Sequence, residues 1–316
     1  MSKQHKTISL IIPVLKETEA IAPFMAAMTD FIAEISTYHF EYIFIDDGST
    51  DDTLAQIRKQ AEAGKPVKVI ELSRNFGKEA ALSAGIDHAD GDAVIPIDVD
   101  LQDPPHVISE MITKWEAGWE VVLAERTDRS SDTLMKSQSA RLFYWLHNRF
   151  SSPRIPANCG DFRLMDKVVV AALRRLPENQ RFMKGLFAWV GFRTTSVSYV
   201  RQIRAAGESK FNFGRLLDFA IQGFTGFSLA PLRMWHLLGL LASALSLIFA
   251  TFIVVRVLFY GIDVPGYASL MVVVLFLGGM QLIGIGVLGE YLGRSYFEAK
   301  RRPIYIVRQV HSGQDD

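Results

Sequence analysis

From Leu237 to Val255 the chain runs for nineteen residues without a charged side chain, and from Ala268 to Leu288 for twenty-one more. At 1.5 Å per helical residue, each run is long enough to cross a hydrocarbon core of roughly 30 Å. A buried helix of a soluble domain seldom goes so far without a charge, so hydropathy predicts two membrane spans. Trp235, His236 and Tyr260 sit at the ends of the first, where amphipathic rings suit an interface, and Arg256 can snorkel from its last turn. Gly278, Gly279, Gly284, Gly286 and Gly289 give the second small faces suited to close helix packing; a homo-oligomer is the expected assembly.

The linker Gly261 to Tyr267 carries Asp263 and no Lys or Arg, whereas Arg215 and Arg233 precede the first span and Arg294, Lys300, Arg301, Arg302 and Arg308 follow the second. The positive-inside rule predicts that both termini are cytoplasmic and that the large N-terminal half is cytosolic, and a multi-pass plasma (inner) membrane protein is expected. Phe211 to Leu229 has apolar residues over one broad helical face, interrupted by Arg215, Asp218 and Gln222. It reads as a helix lying in the headgroup plane or as a core helix of the soluble domain. The expected division is therefore a cytosolic domain over 1–210, an interfacial helix over 211–230, spans over 234–260 and 268–290, and a cytosolic tail over 291–316. Met1 to Thr7 is polar and Ile8 to Val14 too short for a secretory signal. The tail from His311 to Asp316 is expected to be disordered.

Within the cytosolic half, apolar runs alternate with helical spacing. Ile8 to Val14, Tyr42 to Ile45, Val67 to Leu72, Ala93 to Ile97 and Val121 to Ala124 read as strands. Ala20 to Ile35, Asp52 to Ala63, Lys78 to His88 and Pro105 to Ala117 read as helices, the second capped by Ser49, Thr50 or Asp51. Such alternation predicts an α/β fold with a mainly parallel sheet covered on both faces. The charge is balanced, at 34 basic and 34 acidic residues, so no nucleic-acid partner is expected. Cys159, the one cysteine, excludes an intrachain disulfide. No Gly-x-Gly-x-x-Gly loop or P-loop lysine motif is present, which disfavours nicotinamide chemistry and ATP hydrolysis.

In a sheet of this kind the loops after successive strands converge on one rim, where ligands bind. Those loops carry Glu17; Asp46 and Asp47; Ser73, Arg74, Asn75 and Lys78; and Asp98, Asp100 and Gln102. The run Val94-Ile95-Pro96-Ile97 ends in two carboxylates one residue apart, followed by a turn with two prolines. Taken alone this is a solvated acidic turn or a site for hard Mg²⁺ or Mn²⁺ facing a diphosphate; several polar loops on one rim favour the second.

Three motifs in order, Asp46-Asp47-Gly48-Ser49-Thr50-Asp51, Ser73-Arg74-Asn75-Phe76-Gly77-Lys78 and Asp98-Val99-Asp100-Leu101-Gln102-Asp103-Pro104-Pro105, resemble family 2 glycosyltransferases of the polyprenyl-phosphate type. That group includes bactoprenol glucosyltransferases and dolichol-phosphate mannose synthases, and the likeness runs from about Ile8 to Val307. The resemblance implies a GT-A type nucleotide-sugar domain followed by the interfacial helix and the spans. It implies that Pro13, Val14, Leu15 and Glu17 line the nucleoside, although Leu15-Lys16 stands where the family often has Tyr-Asn. Asp46 and Asp47 would lie near base and ribose, with Ser73, Asn75, Lys78, Asp98 and Val99 completing the nucleotide-sugar site. Asp98, Asp100 and Gln102 would hold the metal, Mg²⁺ or Mn²⁺. Asp161, in Gly160-Asp161-Phe162-Arg163, matches an acidic position near the acceptor that is sometimes assigned as a base. Arg126 and Arg141 match residues that grip the acceptor phosphate, and Ser209 and Lys210 a membrane-proximal lid; Arg201, Arg204 and Lys210 would face headgroups or the incoming phosphate.

The implied activity is inverting transfer of a sugar from a nucleotide diphosphate sugar, UDP-glucose before GDP-mannose, UDP-N-acetylhexosamine or aminoarabinose donors, to undecaprenyl or another polyprenyl phosphate. The product would supply a sugar for modifying cell-envelope glycans. A processive polysaccharide synthase is the nearest enzymatic rival, but Gln180-Arg181-Phe182-Met183 lacks its Gln-x-x-Arg-Trp motif and there are only two spans. A catalytically silent membrane scaffold is the rival from another class.

Overall fold

The computed structural model describes residues 5–35, 37–127, 148–149, 154–156, 158–179, 181–201, 228–260 and 266–312. In chain order these form β1 (Lys6–Val14), α1 (Thr18–Glu34), β2 (Tyr38–Asp46), α2 (Thr53–Glu62), β3 (Val67–Leu72), α3 (Lys78–His88), β4 (Ala93–Pro96), α4 (Val107–Glu116), β5 (Val121–Arg126), β6 (Cys159–Asp166), α5 (Lys167–Arg174), α6 (Met183–Trp189), β7 (Thr194–Tyr199), α7 (Ala230–Tyr260), α8 (Tyr267–Ala299) and β8 (Val307–Ser312). The strands make one sheet ordered β7-β5-β6-β4-β1-β2-β3-β8. β1 pairs in parallel with β2 and β4, β2 with β3, and β5 with β7, while β6 and β8 run antiparallel to their neighbours. The expected mainly parallel sheet is present.

Alternation along the strands builds two cores. Ile8, Leu10 and Ile12 of β1 and Phe44 of β2 point to one face and pack with Phe24, Met28, Ile108 and Met111 of α1 and α4. Ile11, Ile43 and Ile45 point to the other and meet Ala81, Leu82 and Ile86 of α3 and Leu173 of α5. At Gly85, an added Cβ would lie 2.2 Å from Ile11 Cγ2 and 2.9 Å from Ile45 Cδ1. The missing side chain lets α3 lie flat on the sheet and brings its first residue, Lys78, to the rim.

That rim collects more than the parallel strands. The carboxyl ends of β1, β2, β3, β4, β5 and β7 share one edge, and because β6 is reversed, its first residues, Cys159 to Asp161, lie there too. β8 is also reversed, so Val307, its first residue, pairs with Leu72 at the end of β3. The chain returning from α8 therefore enters the domain at the same edge, where the Ser73 N–H donates to the Ile306 carbonyl at 2.9 Å.

β8 corrects the expectation of disorder from His311. His311 and Ser312 pair with Val69 and Lys68. An open β3 edge invites a partner strand, and Arg308 and Arg58 both pair with Glu71, at 3.1 and 3.5 Å, while Arg58 Nη2 lies 2.8 Å from His311 Nε2. α7 and α8 are each long and apolar enough to cross a membrane, and almost none of their apolar surface is covered by the protein. α8 runs beyond the expected end at 290 because a polar turn continues it: Arg294 pairs with Glu290 at 2.8 Å, and Glu298 accepts from the Asn179 N–H at 3.1 Å. Of the five glycines expected to pack closely, Gly284 does, with the Trp235 indole in the space a Cβ would need, whereas Gly278, Gly279, Gly286 and Gly289 face open space among the described residues.

Candidate active site

The loops after β1 and β2 are bolted together by short polar side chains. Val14 pairs with Asp46 and Pro13 with Ile45. Ser49 Oγ accepts from the Lys16 N–H and Thr53 Oγ1 from the Glu17 N–H, both at 2.9 Å, and Thr18 Oγ1 donates to Asp51 Oδ2 at 2.8 Å. Asp51 Oδ1 accepts from the Thr53 N–H at 3.3 Å in a local turn, but the N-cap of α2 is Asp52 and makes no side-chain capping bond, so none of Ser49, Thr50 and Asp51 is the expected cap. Asp46 and Asp47 are both buried. Asp46 accepts from the Ser49 N–H at 3.2 Å, and Asp47 from the Phe76 and Gly77 N–H groups at 2.7 and 2.9 Å. Burial pushes both carboxyls up from the ordinary range, partly offset by these donors. Gly48 sits at φ +74°, and a Cβ there would lie 2.7 Å from the backbone of Arg74 and Asn75. Only glycine allows the β2 and β3 loops to touch in this way. Ser73, Arg74 and Asn75 are exposed on the rim, with the Arg74 guanidinium 3.9 Å from the Phe76 ring centre.

The loop after β4 is held by charged side chains from distant elements. Lys78 Nζ donates to both oxygens of Asp98, at 2.7 and 2.9 Å, and lies 3.3 Å from Asp161 Oδ2. Burial works to lower the Lys78 ammonium, but Asp98 and Asp161 outweigh it and the net shift is upward. For Asp161, burial works to raise the carboxyl; Lys78, Lys184 and Arg163 outweigh it, so the group is held below its ordinary range. Asp161 is therefore a carboxylate at neutral pH and a weak base. Beside it Glu79 is pushed up to about 7, chiefly by burial and then by the Asp161 charge. Glu79 Oε2 also accepts from the Met183 N–H at 3.1 Å.

Further along the same loop, Val99 and Asp100 are buried, and Leu101 turns the chain at φ +56°. Asp100 Oδ1 accepts from the Gln102 N–H at 3.1 Å. Gln102 Oε1 is buried with no hydrogen-bond partner among the described residues, an expensive arrangement for an acceptor oxygen. Two hard oxygen donors two residues apart, one of them unsatisfied, fit a divalent cation. Among the described residues no three acidic, histidine or cysteine side chains converge as a ready-made ligand set, and Asp98 is engaged by Lys78.

Arg126, the last residue of β5, lies beside the loop. Its Nε donates to the Tyr199 hydroxyl at 3.1 Å, Tyr199 donates to Asp103 Oδ1, and Arg126 Nη2 is 4.0 Å from the same oxygen. The rim thus brings together Pro13, Val14, Leu15, Glu17, Asp46, Asp47, Ser73, Asn75, Lys78, Asp98, Val99, Asp100, Gln102, Arg126 and Asp161. Arg141, Arg204, Ser209, Lys210 and most of the 211–230 segment lie outside the described residues. Glu79, Asp103, Gly160, Lys184 and Tyr199 escaped sequence reasoning as site residues; Asp103, inside the third motif, and Gly160, beside Asp161, carried a local signal.

The rim sets acidic side chains and an unsatisfied acceptor oxygen along one edge of a mainly parallel sheet. Residues 9–174, just over half of the chain, match the profile described as Glycosyl transferase family 2. The chain belongs to this family. It is 51% identical over 306 residues to the SfII prophage-derived bactoprenol glucosyl transferase of Shigella flexneri, covering 97% of this chain and 99% of that protein. It is 49% identical to the prophage bactoprenol glucosyl transferase homolog of Escherichia coli K12, over 96% and 99% of the two chains. Among solved structures, the mannosyltransferase PcManGT of Pyrobaculum calidifontis, in complex with GDP-Man and Mn2+, is 19% identical, with a TM-score of 0.48 over 71% of this chain and 64% of its own. That likeness is too distant to bear on the chemistry of this site.

Proposed function

We propose that this enzyme transfers glucose from UDP-glucose to a polyprenyl phosphate, undecaprenyl phosphate in the first instance, at the cytosolic face of the plasma membrane. Support for the reaction comes from relatives named bactoprenol glucosyl transferase at about half identity over nearly the whole chain. Support for the place comes from one observation: the acidic rim is the edge where β7 ends at Tyr199 and where β8 begins at Val307 on the return from the apolar helices. A water-soluble donor and a lipid-borne acceptor meet only at the membrane surface, so a site facing that way serves both. The division into a cytosolic domain over 1–210, an interfacial segment over 211–230, spans within α7 and α8, and a cytosolic tail belongs to the same reading. The Lys and Arg distribution supports its orientation.

Asp46, Asp47 and the β1 loop would take the nucleoside, and Asp100 and Gln102 would hold Mg²⁺ or Mn²⁺ with Asp98 adjacent. The chemistry supplied there, when the ion is bound, is neutralisation of charge on the departing diphosphate. Lys78 places a positive charge on the donor side and keeps Asp98 and Asp161 from repelling one another. The acceptor phosphate is already ionised near neutral pH. One of its oxygens attacks the anomeric carbon, the bond from that carbon to the nucleoside diphosphate breaks, and the electron pair leaves with the diphosphate. No proton has to be removed, which suits an Asp161 held ionised by three cations; its role is to orient. Arg126 grips the acceptor phosphate, and direct displacement gives a β-linked product from an α-linked donor.

The test is a panel of nucleotide sugars incubated with undecaprenyl phosphate in membranes containing the enzyme, read by the mass of the lipid product. The expected result is a hexosyl phospholipid from UDP-glucose. Absence of any glycosylated lipid across the panel, with nucleotide binding intact, would contradict the proposal and favour a scaffold.

A further inference from the structure

We infer that Asp103 and Tyr199 are positioning residues that aim Arg126 at the acceptor phosphate and tie its guanidinium to the loop bearing Asp100 and Gln102. The inference rests on the proposed role of Arg126 and goes beyond it. Three elements distant in sequence meet here. Asp103 follows Gln102 directly, Arg126 ends β5, and Tyr199 ends β7, where it is the register partner of Arg126. Asp103 and Tyr199 are 4% and 5% exposed. A buried carboxylate with a buried phenol is costly unless both are satisfied. Here the Tyr199 hydroxyl donates to Asp103 and accepts from Arg126 Nε, so one oxygen serves the anion and the cation in turn.

The consequence for Arg126 is geometric. A free arginine spreads over many rotamers. This one is fixed at Nε by Tyr199 and lies near Asp103 at Nη2, while the side chain remains 27% exposed. The guanidinium lies over Gly160, where a Cβ would be 3.2 Å from Nη2. Asp161, the next residue, is engaged by Lys78 rather than by Arg126. With Nε occupied, the amino groups at the far end are the donors that can fork onto an oxyanion. Phe162 packs edge-on against the Tyr199 ring at 6.0 Å and keeps the phenol in place.

A purely structural role at the β5–β7 edge would affect donor and acceptor alike. The experiment measures initial rates of the full-length enzyme in vesicles, varying undecaprenyl phosphate and, separately, whichever nucleotide sugar supports transfer. Tyr199→Phe, which keeps the ring and its contact with Phe162, should raise the KM for undecaprenyl phosphate about tenfold, the scale of one lost hydrogen bond to a charged group. The KM for the nucleotide sugar should stay within about twofold, within the scatter of independent effects. Asp103→Asn should move the same constant in the same direction. In an Arg126→Ala background, Tyr199→Phe should have no further effect on acceptor KM, because its effect passes through the guanidinium. Equal rises in both constants, or a full additional loss in the Arg126→Ala background, would overturn the inference while leaving Arg126 in its role. An unchanged acceptor KM in Arg126→Ala itself would overturn the reading of Arg126 on which the inference stands.

Discussion

The two acidic loops of the rim are built on opposite principles. The carboxylates after β2 are braced by backbone: Asp46 and Asp47 take N–H groups from Ser49, Phe76 and Gly77, and Gly48 lets the neighbouring loop touch. The loop after β4 is braced by side chains from far along the chain, Lys78 on Asp98 and Tyr199 on Asp103. Backbone donors fix a carboxylate whatever is bound, so the first loop is a preformed cradle. A lysine ammonium can give way to another cation, so the second is suited to exchange charge as a donor arrives. Four changes probe this difference.

The largest effect belongs to the second loop. Asp100→Ala removes a buried carboxylate beside the unsatisfied Gln102 oxygen; transfer should fall about a thousandfold, the upper range for losing one electrostatic stabiliser. Membrane insertion, followed by fractionation, should be unchanged. Next is Lys78→Met, which leaves Asp98 and Asp161 facing each other without their shared cation. Transfer should fall about a hundredfold, and the Asp161 carboxyl should rise, shifting the acid limb of the rate profile to higher pH.

In the first loop the effect should be on stability. Asp47→Ala strands the Phe76 and Gly77 N–H groups, costing about 2 kcal/mol, measurable by urea unfolding of the domain in detergent. The smallest is a pH effect. Glu79 binds its proton more tightly folded than unfolded, with the folded value about 7 against an ordinary 4.5. Its contribution is full below about pH 4.5 and is lost as pH rises toward 7, because the folded state then holds the extra proton. A shift of that size corresponds to about 3 kcal/mol at most, and because Glu79 is only half-buried, solvent screening leaves a fall on the order of 1 kcal/mol across that window; Glu79→Gln should flatten the slope.

The same contrast explains what could be read from the sequence. Val67–Leu72 and Lys78–His88 fall where strand and helix periodicity put them, and the β2 loop is a contiguous run, Asp46 to Asp52, whose partners lie in the next loop. Residues that serve the second loop announce themselves poorly. Tyr199 ends a strand with mixed exposure, and Lys184 sits in a short helix without periodic pattern. β6 was missed because its run, Cys159–Asp166, is broken by Asp161 and Arg163, which the rim and the Phe187 ring engage. β8 was missed because its residues are polar and its pairing depends on the β3 edge, whose Glu71 matches Arg308. Hydropathy placed both apolar helices but not the polar extension of α8 to Ala299, which its Glu290–Arg294 pair sustains.

The central claim is that the β4 loop takes a divalent cation together with a nucleoside diphosphate. Titration calorimetry of the full-length enzyme with UDP, in the presence and absence of Mn²⁺, tests it most directly. Binding should require Mn²⁺ and vanish in Asp100→Ala. UDP binding of equal strength with and without the ion, or unaltered in that variant, would contradict the account.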